Sequence, residues 1–207
     1  MSTETTTEQV ISGLLAVTEP LRDEVQRLHR RLEVSAEDAK ILDVAYTTIY
    51  TPVGALLLAA TRKGLLRVAF EVEGFDQVID ELGRRVSPRI LKSPKRLDEV
   101  AFEIDEYFGR RRMNFDLALD FTLSSSFREV VQRYLPQIPY GTTESYKQVA
   151  ARVGNPKAAR AVGTACATNP LPIVVPCHRV LRTDGKLGGY LGGLAMKTSL
   201  LKLEGAA

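Results

Sequence analysis

Residues 154–180, GNPKAARAVGTACATNPLPIVVPCHRV, decide how the rest of this sequence is interpreted. A Gly-Asn-Pro turn signal at residues 154–156 separates two segments with helical spacing, and Asn-Pro at residues 169–170 ends the second segment. Two short helices joined by a turn that contains Gly predict a helix-turn-helix. Two core helices without a binding role would give the same pattern, so the pattern alone leaves both interpretations open.

The second helix of this pair is slim, because Arg160 is the only long side chain in its middle. At 100° per residue, Arg160 lies outside the apolar face that holds Val162 and Cys166. Such an Arg is either a salt-bridge partner or a side chain inserted into a duplex. We interpret Cys166, on the apolar face, as a small buried hydrophobe. The small residues are Ala158, Ala159, Ala161, Gly163 and Ala165.

The apolar run at residues 173–175 predicts a strand that ends at Pro176 and is followed by Cys177, His178 and Arg179. A thiol attacks as the thiolate, and neighbouring His and Arg residues lower its pKa. Consecutive side chains of a strand point to opposite faces, so His178 can act on Cys177 only if the chain turns there or a water bridges them. The alternative is a buried, inert thiol.

The composition of the 207 residues is that of an ordinary globular protein, with 44% hydrophobic and 26% charged residues. No apolar run approaches the roughly 20 residues needed to span a bilayer, and no secretory signal is visible. We therefore expect a cytoplasmic protein that does not bind membranes. Two cysteines in a chain of this length indicate free thiols rather than a disulfide framework.

Charge is distributed unevenly along the chain. Residues 127–207 hold 11 Lys and Arg against 4 Asp and Glu, whereas residues 1–126 hold 17 against 21. A basic half joined to an acidic half is typical of a protein that binds a polyanion, although a basic surface without a partner would look the same. The charge pattern thus favours nucleic acid as a partner without requiring it.

The remaining elements predict an α+β fold. Three short antiparallel strands fit residues 44–70, and helices should end near Ser87 and at Gly109. An amphipathic helix is expected from Pro20, after a mobile polar tail, and another helix after Ser125 or Ser126. The prediction is an N-terminal three-stranded antiparallel sheet with helices, followed by a mostly helical C-terminal domain with a helix-turn-helix.

Four separated motifs resemble the O6-alkylguanine-DNA alkyltransferases, also called methylated-DNA–protein-cysteine methyltransferases. The similarity runs from about Phe127 to Glu204 and is looser before it, chiefly in RRRMNFDLALD. The four motifs are GNPKAARAVG at residues 154–163, NPLPI at residues 169–173, PCHRV at residues 176–180 and GYLGG at residues 189–193. The resemblance implies three parts: an N-terminal extension (1–40, the tail plus a helix), an α/β domain (41–120) and a DNA-binding and alkyl-acceptor domain (121–207).

The resemblance implies a DNA repair protein that moves the alkyl group of O6-alkylguanine, and of O4-alkylthymine, onto its own cysteine. The transfer would be irreversible and would occur once per molecule. Cys177 would be the acceptor, His178 the base that acts through a water, and Glu204 the group that polarises His178. Asn169 would brace the active-site turn, and Tyr146 would donate a hydrogen bond to the guanine.

The implied partner is double-stranded DNA that contains the alkylated base, bound through its minor groove by a monomer. Arg160 would fill the space left by the everted nucleotide. Pro172, the main chain of Val180 and the loop at Tyr190 and Leu191 would hold the base, although some relatives carry a polar residue in place of Leu191. The implied DNA contacts are Tyr146, Lys157, Ala158, Arg160, Ala161 and Gly163.

No cofactor and no metal is expected. Some members of the family carry zinc, but His29, His178 and Cys166 are the only spare His and Cys ligands, too few for a tetrahedral site. Two other classes stay open: a DNA-binding protein without chemistry, and a Cys-His hydrolase. The hydrolase lacks an evident oxyanion hole and a His distant in sequence.

Overall fold

The computed structural model describes residues 7–206, and for residues 7–20 it describes the backbone alone. Two compact units make up the chain, one ending at Leu42 and the other beginning at Asp43. The predicted extension over residues 1–40 thus ends close to a boundary between units. The further division near residue 120 stays a prediction.

The first unit is built on one long helix, α1 (Thr7–Asp38). The sequence placed the start of this helix at Pro20, which is wrong, because helix-forming residues before the proline extend the helix towards the N-terminus. The predicted tail falls partly on residues 1–6, which lie outside the described residues. The apolar stripe of α1 is more than half exposed at each position; its residues are Leu21, Val25, Leu28 and Leu32.

A four-stranded sheet opens the second unit, in the order β3-β2-β1-β4. The strands β1 (Val44–Thr51), β2 (Gly54–Thr61) and β3 (Gly64–Phe70) are antiparallel neighbours, as predicted. The fourth strand, β4 (Ile90–Lys92), pairs parallel with β1 and was missed. Its three residues lie between two Ser-Pro pairs, and from the sequence only a helix end near the first pair was predicted.

Alternating side chains of β2 are buried on opposite faces of this sheet. Leu57 and Ala59 pack with Val78 and Leu82 of α2 (Phe75–Arg85). Leu56 and Leu58 belong to the larger core, to which α3 (Asp98–Phe108) and the helices of the C-terminal half also contribute. The face of the sheet that holds Leu56 and Leu58 therefore packs against the C-terminal half.

The C-terminal half is mostly helical. It contains α4 (Ser126–Tyr134), α5 (Tyr146–Arg152), α6 (Ala159–Ala167) and α7 (Leu194–Glu204). A short parallel pair, β5 (Glu144–Ser145) with β6 (Val180–Leu181), ties the start of α5 to the segment after the Cys-His-Arg motif. The predicted α+β class and the helix-turn-helix of α5 and α6 are confirmed. No helix within residues 7–206 is long and apolar enough to cross a membrane.

Candidate active site and DNA interface

A tight turn presents the three consecutive residues of the Cys-His-Arg motif. Cys177–Arg179 form one turn of 3-10 helix directly before β6, and all three side chains are buried. The chain therefore turns at Cys177 and His178, which is one of the two alternatives that the sequence left open. The strand predicted for residues 173–175 is wrong, because that segment forms a turn instead.

The side-chain amide of Asn169 makes two hydrogen bonds to the backbone of the turn at residues 171–175. Its Oδ1 accepts a hydrogen bond from the Leu171 amide at 3.0 Å, and its Nδ2 donates to the Val175 carbonyl at 2.8 Å. Between them Ile173 has φ +73°, a left-handed conformation that is strained for a β-branched residue. Two hydrogen bonds from a buried amide therefore hold a strained turn immediately before Cys177.

The Glu204 carboxylate, at the last residue of α7, is the hub of a buried hydrogen-bond network. His178 Nε2 lies 2.9 Å from Glu204 Oε1. Arg179 donates from Nε to Oε2 and from Nη2 to Oε1, both at 2.9 Å, and from Nη1 to the Ile138 carbonyl at 2.6 Å. Tyr107 Oη donates to the same Oε1 at 2.7 Å. A buried carboxylate is thus satisfied by cationic and neutral donors from distant parts of the chain.

The network keeps Glu204 ionised and His178 neutral. Burial by itself would raise the pKa of Glu204, but the hydrogen bonds and charges of His178 and Arg179 overcome it and lower the pKa to about 2. Burial lowers the pKa of His178, and the bond to Glu204 opposes this only in part. Since the carboxylate is ionised, His178 Nε2 carries the hydrogen and Nδ1 has a free lone pair.

Cys177 is 3% exposed, and its burial raises the pKa of the thiol. Three contributions oppose that rise: the Asn169 side chain, the positive charge of Lys197 and the backbone at Cys177. The Lys197 side chain is completely buried, and its Nζ donates to the Val180 carbonyl at 2.6 Å. The resting thiol is therefore protonated but lies where a thiolate would find a hydrogen-bond donor and a cation.

Two tyrosines flank the thiol. Burial, followed by the charges of Cys166 and Cys177, raises the pKa of Tyr146 to about 12, so this hydroxyl stays a donor at neutral pH. A side chain at Gly188 would clash with that hydroxyl, so only glycine fits there. The Tyr190 ring meets the His178 ring edge-on, with centroids 6.5 Å apart. Within residues 7–206, Tyr190 Oη and His178 Nδ1 are buried without a hydrogen-bond partner.

The outer face of α6 is bare. Val162, Ala165 and Cys166 are buried, whereas Arg160 and Ala161 are exposed. The Arg160 guanidinium makes no ion pair with any residue that the structure describes. Lys157 is exposed at the turn before α6, Ala158 is half-buried, and a side chain at Gly163 would point into open space. Apart from Tyr146, which is half-buried at the start of α5, the residues predicted to contact DNA lie on or beside one exposed strip, the bare strip of α6.

The residues predicted to hold the base lie around the turn and the loop that follows β6. Pro172 and Val180 are buried, and Tyr190 and Leu191 are half-buried in the loop before α7. The structure brings Cys177, His178, Glu204 and Asn169 into one connected site. The roles assigned to these residues stay predictions.

Sequence reasoning missed Tyr107 and Lys197. Tyr107 lies in α3, about a hundred residues from its partner, so no local pattern could reveal it. Lys197 did leave a signal: residues 197, 200, 201 and 204 have the i, i+3, i+4, i+7 spacing of a buried helix face, and a Lys on such a face needs a polar partner.

A helix-turn-helix in the same unit as a buried thiol is the arrangement of a DNA-binding protein whose candidate reactive group is a cysteine. Residues 44–121 match the family model of the 6-O-methylguanine DNA methyltransferase ribonuclease-like domain, and residues 126–206 match that of the DNA-binding domain. The chain therefore belongs to the methylated-DNA–protein-cysteine methyltransferase family, whose work is DNA repair by alkyl transfer.

Individual relatives agree. The methylated-DNA–protein-cysteine methyltransferase of Methanosarcina barkeri is 39% identical over 159 residues, covering 77% of this chain and 96% of the relative. The crystal structure of the Mycobacterium tuberculosis O6-methylguanine methyltransferase is 35% identical, with a TM-score of 0.68 over 79% of this chain and 93% of that one. A structure of the same mycobacterial protein in complex with DNA is similarly close, with a TM-score of 0.67 over 78% and 93%.

Proposed function

We propose that this chain repairs O6-alkylguanine, and O4-alkylthymine, in double-stranded DNA by taking the alkyl group onto the Cys177 sulfur. Two buried interactions on consecutive residues carry the proposal. The Asn169 side chain lowers the pKa of the Cys177 thiol, and Glu204 is hydrogen-bonded to the imidazole of the next residue, His178. Membership of the family supplies the class of reaction.

The first step is removal of the thiol proton. His178 Nδ1 has a free lone pair and lies on the side of the ring away from Glu204, so the neutral imidazole accepts the proton there through a bridging water. The imidazolium that forms is stabilised by the ionised carboxylate at its other nitrogen. The thiolate is stabilised by the Asn169 amide and the Lys197 charge.

The second step is attack on the alkyl carbon. A C–S bond forms while the bond from that carbon to O6 breaks, and the electron pair of the broken bond stays on the guanine. The guanine takes up one proton, which balances the proton lost by the thiol. Tyr146, which remains protonated at neutral pH, donates a hydrogen bond to the departing base.

The transfer inactivates the site permanently. The product is a thioether, whose carbon has no good leaving group at neutral pH. Cys166 is buried, and burial raises its pKa, so it stays a neutral thiol that cannot remove the alkyl group. One molecule therefore repairs one lesion.

The bare strip of α6 suits docking in the minor groove. A protein thiol can reach O6 only if the nucleotide leaves the base stack, at a cost of about a few kcal/mol. Arg160, exposed and without an ion pair in the described chain, would enter the space left behind. The small residues beside it allow close approach of the helix backbone, and the basic half of the chain attracts the phosphates.

The base pocket is supported by the position of Val180 and the loop after β6. The Val180 carbonyl accepts from Lys197 Nζ, and a carbonyl oxygen has a second lone pair that would accept from an amino group of the base. Pro172, Tyr190 and Leu191 supply apolar surface around it. One copy of the chain holds all of these groups, so we propose that it acts as a monomer, in the cytoplasm, where thiols stay reduced.

Intact mass spectrometry tests the proposal. The protein is incubated with an excess of duplex oligonucleotide that contains one O6-methylguanine, and its mass is then measured and mapped by peptide digestion. We expect a gain of one methyl group per molecule, on Cys177, and no gain in Cys177→Ser.

Cys166→Ser is the matched control, because it removes the second buried thiol and should leave the gain unchanged. A methyl group on Cys166 in the wild-type protein would refute the assignment. So would repair of many lesions by each molecule.

A further inference from the structure

The hydroxyl of Tyr107 joins the reactive centre from outside the C-terminal half. Tyr107 lies in α3, within the region that matches the ribonuclease-like domain, whereas Glu204 lies in the region that matches the DNA-binding domain. Its hydroxyl donates to Glu204 Oε1, the oxygen that also accepts from His178 and Arg179. The hydrogen bond therefore connects the N-terminal half to Glu204, the carboxylate that is hydrogen-bonded to the proposed base, His178.

The position of this hydroxyl is set by packing. The Tyr107 ring is fully buried and contacts three other rings, those of Phe108, Phe115 and Tyr140, at centroid distances of 5.3, 5.4 and 6.1 Å. Burial, followed by the Glu204 charge, raises the pKa of Tyr107 far above its usual value, so the hydroxyl is always a donor. The ring cluster gives Oε1 a neutral donor that cannot move away.

We propose that Tyr107 is a positioning residue for alkyl transfer, which fixes the Glu204 carboxylate and, by taking a share of its charge, sets how strongly His178 holds a proton. The inference rests on the proposed function of His178 as the base. An oxygen that accepts several hydrogen bonds has less negative charge to offer each donor. Removing the Tyr107 hydroxyl therefore leaves Glu204 to stabilise the His178 imidazolium more strongly.

Other ionisable groups also act on this pair, and they remain in place when the hydroxyl is removed. Arg179 and Lys197 lower the pKa of His178 by their positive charges. The ionisable neighbours of His178 and Glu204 in the described chain are Tyr107 on α3, Tyr140 before α5, Cys177 and Arg179 on the 3-10 turn, Tyr190 in the loop, and Lys197 on α7.

Tyr107→Phe is the test, because it keeps the ring and removes only the hydroxyl. The chain has two histidines, so proton NMR can follow His178. We expect the His178 titration midpoint to rise by about one unit. The rate of methyl transfer falls at low pH as the His178 imidazole becomes protonated. In Tyr107→Phe this fall should occur at a pH about one unit higher, so that the variant is about tenfold slower than the wild-type protein at the same acidic pH.

Tyr140→Phe is the matched control. It removes a hydroxyl from the same ring cluster, but that hydroxyl donates to the Leu203 carbonyl rather than to Glu204. Its pH profile should coincide with that of the wild-type protein. A Tyr107→Phe profile that is lowered at every pH but not displaced would mean a merely structural role and would overturn the inference.

A measurement on the wild-type protein keeps the inference testable should Tyr107→Phe fold poorly. The Tyr107 hydroxyl proton should exchange slowly with water and show a nuclear Overhauser effect to the His178 Nε2 proton. Absence of that signal would also overturn the inference. The proposed function fails separately, if the wild-type protein gains no methyl group on Cys177.

Discussion

The interior around Glu204 and the outer face of α6 differ in how completely their polar groups are satisfied. The Glu204 carboxylate accepts hydrogen bonds from Tyr107, His178 and Arg179, and a longer one of 3.4 Å from the Gly141 amide. The face of α6 offers one unpaired Arg among alanines and a glycine. The polar groups around Glu204 are already hydrogen-bonded to one another without a ligand, whereas the outer face of α6 is exposed and open to one.

This difference sets the size of mutational effects in the two regions. Removing one member of a buried ionic network leaves an uncompensated charge away from water, which costs several kcal/mol. Changing a side chain on an open helix face alters stability by about 1 kcal/mol or less. Substitutions inside should therefore destroy stability and chemistry together, and substitutions outside should affect DNA alone.

The largest effect is expected for Glu204→Ala. Arg179 would remain buried with only the Ile138 carbonyl as a partner, so the free energy of unfolding should fall by about 3–5 kcal/mol and methyl transfer should be lost. Urea unfolding and single-turnover kinetics measure the two effects. Glu129→Ala, which breaks an exposed pair with Arg133 on α4, is the control and should cost less than about 1 kcal/mol. A loss in Glu204→Ala as small as the control would contradict the view of a prearranged interior.

The same carboxylate has a pH signature. Its pKa falls from an ordinary value of 4.5 to about 2 on folding, so ionised Glu204 stabilises the protein above pH 4.5, and this contribution is lost as the pH falls from about 4.5 towards 2. The difference in unfolding free energy between the wild-type protein and Glu204→Gln should narrow over this range. A constant difference would mean that Glu204 is not ionised through the pairing described.

Local sequence signals were enough to predict the five helices α2 to α6. Pro and Gly mark the ends of α5 and α6, and the burial of Val162 and Cys166 follows from helical periodicity. A turn at Cys177 and His178 was one of two alternatives that the sequence left open, the other being a bridging water, because a strand would separate the two side chains. What these predictions share is that each depends on residues close together in the chain.

The failed predictions depend on contacts that the spacing of apolar residues does not encode. The run at residues 173–175 has the composition of a strand, but Asn169 ties it into a turn through its side-chain amide. The strand β4 exists only because β1 lies beside it. The bond from Tyr107 to Glu204 joins residues 97 positions apart. Side-chain hydrogen bonds and pairing between distant segments decide these features, and periodicity does not report them.

On the open face, Arg160→Ala should have an intermediate effect that depends on the substrate. In the proposed mechanism this side chain acts only by replacing the everted nucleotide. Transfer from duplex DNA should therefore slow by about tenfold to a hundredfold, a loss in free energy that is part of the cost of eversion. Transfer from free O6-benzylguanine, which needs no eversion, should be unchanged. Rate measurements on both substrates separate the roles, and equal losses on both would place Arg160 in the reaction rather than in recognition.

The smallest effect is expected for Gly163→Ala. This substitution should change the stability of the fold and the affinity for DNA in opposite directions. The added methyl group meets no atom within 4 Å and replaces glycine inside a helix, so the protein should become more stable by up to about 1 kcal/mol. The same methyl group thickens the strip proposed to enter the minor groove, so affinity for duplex DNA should fall several-fold. Gly83→Ala, in α2 and equally open, is the control that should gain stability without losing DNA affinity. If Gly163→Ala binds DNA as tightly as Gly83→Ala does, the bare strip of α6 is not the surface that meets the duplex, because close approach is the one property that a single methyl group there would remove.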